Sequence, residues 1–61
     1  MCLSTVYLIK EGTRQKLCEY VSNVKADGKE VELTDVMGQV IKATGTIKSM
    51  DFIKNEILLE A

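Results

Sequence analysis

The chain has 61 residues, with 8 basic side chains against 9 acidic ones, no histidine and no proline. That length is filled by one domain, and a fold this small buries only about 60% of the surface its unfolded chain exposes. The near-balanced charge offers no global attraction for phosphate backbones, and the missing histidine removes Ser-His-Asp, Cys-His and imidazole-metal arrangements, so the residues point away from catalysis.

Cys2, directly after Met1, opens an apolar run through Leu3, Val6, Leu8 and Ile9. The run predicts a strand over roughly residues 2 to 10, stopped by Lys10, Glu11 and Gly12. A second extended segment is expected over about residues 15 to 26, where Val24 and Ala26 alternate with Asn23 and Lys25. Leu17, Tyr20, Val21 and Val24 also satisfy helical spacing, which makes the part before Val21 ambiguous. Asp27-Gly28 then precedes the alternating Glu30-Val31-Glu32-Leu33-Thr34. Asp-Gly supplies the positive φ of a tight hairpin, and this is the strongest local signal in the chain.

Residues 35 to 38 predict another reversal. Val40, Ala43, Gly45 and Ile47 then lead one long strand in which Gly45 marks a bend or bulge. The last hairpin turns near Lys54-Asn55, and Ile57 and Leu59 alternate with Glu56, Leu58 and Glu60. Leu58 interrupts the polar face and is expected at an interface. The sum is an all-β domain over residues 1–61, a small five-stranded antiparallel barrel of the SH3-like or Sm-like kind. Strand edges left open by such a barrel predict pairing across a two-fold axis, a homodimer that brings two N-terminal strands together.

The chain shows no secretory signal and no apolar stretch of the roughly 18 residues that a membrane span needs, so a cytoplasmic protein is expected. In that compartment a Cys2–Cys18 disulfide is not expected, and a cysteine of interest is more often a metal ligand or redox thiol. Cys2 stands where chains fray and gains little from burial. Two copies meeting on an axis would offer two thiolates with nearby nitrogens. Tetragonal sets of this kind suit Cu(II) or Ni(II), and thiolates also attract Cu(I) and Zn(II). Loss of Met1 would create an amine–thiol chelate, whereas its retention leaves only amide nitrogen beside the sulfur.

By spacing alone, a lone cysteine near a terminus is more often an incidental small residue. Cys18 is expected as a small buried hydrophobe, and Met1, Met37 and Met50 as gap-fillers in the core rather than a soft-ligand set. Asp27-Gly28 and Asp35…Gly38 read as turn chemistry, since no third carboxylate follows at calcium-loop spacing. Arg14 and the scattered lysines interleave with acidic residues, which predicts a solvated surface and makes nucleic-acid binding the weaker reading.

The opening Met1-Cys2-Leu3-Ser4-Thr5-Val6-Tyr7, the stretch Val31-Glu32-Leu33-Thr34-Asp35-Val36-Met37-Gly38 and the closing Ile57-Leu58-Leu59-Glu60 together resemble the CooT family of small nickel-binding proteins. The likeness runs over nearly the whole chain, and Met-Cys-Leu-Ser is its specific part. It implies an accessory protein, not an enzyme, that serves maturation of a nickel-containing carbon monoxide dehydrogenase. It also implies Ni(II) as the metal, Cys2 as the ligand, and a nickel enzyme or its maturation proteins as partners. Two other readings stand beside it: a small-barrel RNA-binding protein, by fold analogy, and a metal-free module that binds a partner along a strand edge.

Overall fold

The computed structural model describes residues 3–61. Six strands follow in chain order: β1 (Ser4–Lys10), β2 (Thr13–Asp27), β3 (Glu30–Asp35), β4 (Val40–Thr44), β5 (Thr46–Asp51) and β6 (Glu56–Glu60). They form one sheet in the order β4-β3-β2-β1-β6-β5. Among the described residues, no helix is long and apolar enough to cross a membrane.

The all-β expectation holds, but the five-stranded antiparallel barrel does not. The sheet has six strands and is not closed, because among the described residues no ladder joins its two edges, β4 and β5. Its β1–β6 pair is parallel, with Val6 opposite Ile57 and Leu8 opposite Leu59. Gly45 is the physical cause of both departures. The segment expected as one strand through Gly45 is instead two, and the chain passes at that single residue from one edge of the sheet to the other. That corner is not a hairpin. With only four antiparallel reversals between them, β1 and β6 end up pointing the same way.

β2 is the long spine. β1 pairs with its first half, from Lys10 opposite Thr13 to Ser4 opposite Val21. β3 pairs with its second half, from Val21 opposite Asp35 to Asp27 opposite Glu30. Register shifts occur between Ser4 and Val6, between Val6 and Tyr7, and again between Val21 and Asn23. Each extra residue in β2 bends the strand and rotates the side chains that follow. Tyr20 takes a positive φ of 57° at this bend. As a result Cys18 and Val21 are buried three residues apart and Val24 is half-buried three further on. The helix-like spacing in the sequence is therefore a bulged strand.

Gly28, with φ 62°, opens the two-residue link between Asp27 and Glu30, as the Asp-Gly signal predicts. Bending wraps the sheet around one core of Val6, Cys18, Val21, Val31, Leu33, Ile57 and Leu59. Leu8, Leu17, Val24, Ile41, Ala43 and Ile47 pack against it. Full burial of a leucine or valine contributes about 1.5–3 kcal/mol, and Leu33, Leu59, Val6 and Val31 are the four that reach it.

Candidate metal centre and its surroundings

Cys2, the one metal ligand expected from sequence, lies outside the described residues. The structure does define the ground next to it. Ser4, at the start of β1, is buried opposite Val21. The Thr5 N–H donates to the Asn55 carbonyl at 2.9 Å, fastening the beginning of β1 to the turn before β6. Asn55 holds a positive φ of 57°. Its Oδ1 is buried and has no hydrogen-bond partner among the described residues, an acceptor left open beside the entry of β1. A cleft of about 220 Å³ adjoins this entry, lined by Ser4, Ser22, Asn23, Val24, Met50 and Phe52 among others. The wider hollow, about 460 Å³, lies among Lys25, Asp27, Glu30 and Glu32 at the β2–β3 hairpin. Its charges are mixed and its donors are hard, so it has no bearing on a thiophilic metal.

Cys18 is the expected buried hydrophobe, 8% exposed and part of the core. Desolvation, followed by the negative charges of Asp35 and Glu19, pushes its thiol up from the ordinary value. A thiol held neutral in this way is a poor metal ligand and a poor nucleophile. Among the described residues, no three of histidine, cysteine, aspartate and glutamate come together as a metal cage.

Of the three methionines expected in the core, Met1 lies outside the described residues and the other two depart from expectation. Met37 and Met50 are exposed, not packed in the core. Leu58, expected at an interface, sits in the interior strand β6, half-buried between Tyr7 of β1 and Ser49 of β5. Of the basic residues, Arg14, Lys16 and Lys48 form ion pairs with Glu56, Glu19 and Glu60. The Arg14 guanidinium also lies 4.9 Å from the centre of the Tyr7 ring. These are exposed pairs of small energetic weight, and they match a solvated surface.

Sequence reasoning missed a repeated device. Asp35 Oδ1 accepts the N–H groups of Met37 and Gln39, each at 2.9 Å. Asp51 Oδ1 accepts those of Ile53 and Lys54, each at 3.0 Å. The Lys54 N–H above all, then that of Ile53 and the Lys54 charge, hold the Asp51 carboxyl below its usual value. Both turns begin Asp-apolar-apolar, and both hold their apolar pair outward: Val36 with Met37, Phe52 with Ile53. The signal was readable as Asp35-Val36-Met37 and Asp51-Phe52-Ile53 in the sequence.

A model of the family described as "CO dehydrogenase accessory protein CooT" matches residues 1–60. Among solved structures, the fold is similar to that of a CooT candidate from Carboxydothermus hydrogenoformans. The TM-score is 0.87 at 20% sequence identity, covering 97% of this chain and 95% of that one. Among curated proteins, none matches this chain.

Proposed function

The chain belongs to the CooT family of CO dehydrogenase accessory proteins, and from that premise we propose that it binds Ni(II) through Cys2 thiolates at a homodimer interface. It stores the ion or passes it to a nickel enzyme such as carbon monoxide dehydrogenase, acting in the cytoplasm. The family is one of accessory proteins rather than catalysts. The observation that carries this reading is the family match from residue 1 to residue 60, which takes in the Met1-Cys2-Leu3-Ser4 opening.

Two physical arguments support it. Cys18 is buried in the core with its thiol pushed toward the neutral form, which leaves Cys2 as the chain's other thiol. The described residues bring no set of three strong donors together. A nickel ion on Cys2 therefore draws further donors from backbone nitrogen and from a second chain, and a pair of thiolates with two nitrogens is a tetragonal set suited to Ni(II).

The thiolate is the binding form, so uptake of nickel releases protons and weakens on acidification. Equilibrium dialysis against Ni(II) with the Cys2→Ser chain tests the assignment. The expected result is no retained nickel at concentrations that saturate the native sequence. Nickel held by Cys2→Ser with undiminished affinity would remove Cys2 from the site.

A further inference from the structure

The corner between β4 and β5 joins the two edges of the sheet, yet it keeps the alternation of a single strand. Ile41, Ala43 and Ile47 pack against the core and Gly45 is buried between them, whereas Val40, Lys42, Thr44, Thr46 and Lys48 are exposed. The period of two runs through Gly45 without a change of phase, which is how an unbroken strand reads. Gly45 has a φ of 159°, close to fully extended backbone. The corner is one strand bent at one residue, and its surroundings hold the bend. The Gly45 N–H donates to the Lys29 carbonyl, and the Glu60 backbone occupies the space where a Cβ would stand.

Everything beyond the bend forms one unit. Among the described residues β5 pairs with β6 alone, and β6 joins the rest of the sheet through its parallel ladder with β1. The Thr5 N–H donates to the Asn55 carbonyl, the Ala61 N–H donates to the Ile9 carbonyl, and Ile57 and Leu59 complete the core. All of these contacts are the same whichever chain supplies β1. Since β4 and β5 share no ladder among the described residues, straightening the corner itself gives up only the hydrogen bond between Gly45 and Lys29. Exchange of an identical element between copies is a low-cost route to a dimer, and a short hinge under strain invites it.

We propose that Gly45 is the hinge of a strand exchange: straightened there, residues 40–51 run as one strand, and the β5–β6 hairpin of each chain completes the sheet of a second copy by pairing with its β1. The absence of a Cβ at Gly45 keeps the closed chain favoured. A side chain there meets the Glu60 backbone in the bent form and moves away from it in the straight one. The exchange uses neither nickel nor Cys2, so it stands or falls apart from the metal assignment.

The experiment reads which chain's β1 each β6 has joined. Thr5 and Glu56 lie opposite each other in the β1–β6 ladder, and neighbouring strands ~4.8 Å apart are within reach of a disulfide. Thr5→Cys with Glu56→Cys, in a Cys2→Ser chain, is refolded dilute and concentrated, oxidised, and run on denaturing gels without reductant. With Gly45 in place and the protein dilute, the bond should close within single chains. Gly45→Val should give covalent dimers on concentration. Its dissociation constant for exchange should lie at least about 30-fold below that of the native hinge, because overpacking is relieved in both chains at once. Copies that dock without exchanging leave the bond within each chain, so no other kind of dimer registers. Adding three glycines after the hinge of the Gly45→Val chain should return the bond to single chains. Gly45→Val that folds and cross-links only within single chains when concentrated would overturn the hinge. So would Gly45→Val that stays unfolded when concentrated, since exchange removes the clash, or covalent dimers that persist in the lengthened chain.

Discussion

Gly45→Ala should lower the melting temperature by roughly 5–20 °C, at about 4–8 °C per kcal/mol for a domain of this size. A Cβ at this position would stand 2.7 Å from the Glu60 carbonyl oxygen and 3.3 Å from its carbon. Neither atom belongs to a side chain that could swing away. The corner cannot retreat in the other direction either, since the Gly45 N–H donates to the Lys29 carbonyl at 2.6 Å. Gly45 is thus clasped between the β2–β3 hairpin and the end of β6, at the one residue where the chain crosses from β4 to β5. Overpacking at a fixed site costs about 1–3 kcal/mol. Thermal melts followed by circular dichroism measure it, and an unchanged midpoint would mean that the corner is looser than the close approach implies.

Leu59→Ala should have the larger effect and leave most of the chain unfolded at room temperature. Leu59 is fully buried, opposite Leu8 of β1 and Ile47 of β5. Deleting such a side chain costs about 2–5 kcal/mol, the lost transfer energy plus the cavity left behind. A single core below about 70–80 residues rarely supplies more than ~3–5 kcal/mol in all. Leu58→Ala is the internal comparison: its side chain is half-buried on the other face of β6, and its loss should cost clearly less. Urea unfolding of the two variants separates them. Equal losses would contradict the inward assignment of Ile57 and Leu59.

What the sequence made legible was local. Asp27-Gly28 identified its hairpin because one dipeptide carries the required φ, and Glu30-Val31-Glu32-Leu33 alternated cleanly because β3 has no bulge. The second strand was ambiguous for a physical reason: extra residues around Leu17, Tyr20 and Ser22 shift the register and bury Cys18 and Val21 at a spacing that a helix would also give. Non-local relations were hidden. That Gly45 separates two strands depends on the Glu60 backbone arriving beside it, and that β6 lies inside the sheet depends on its parallel pairing with β1.

The site was legible only as a residue and a family pattern. Cys2 and the Met-Cys-Leu-Ser opening were there to be read, as was the core role of Cys18. Met37 and Met50 were misplaced because composition alone cannot tell a gap-filler from an exposed turn residue. Met37 is held outward by the backbone that Asp35 caps, and the matching Asp51 turn does the same for Phe52 and Ile53.

The account turns on one metal ion joining two chains. Native mass spectrometry of the protein at neutral pH, with nickel raised from limiting to saturating, measures that directly. The predicted species is two chains carrying one nickel. Nickel bound one per single chain, or dimers that carry none at saturating metal, would contradict it.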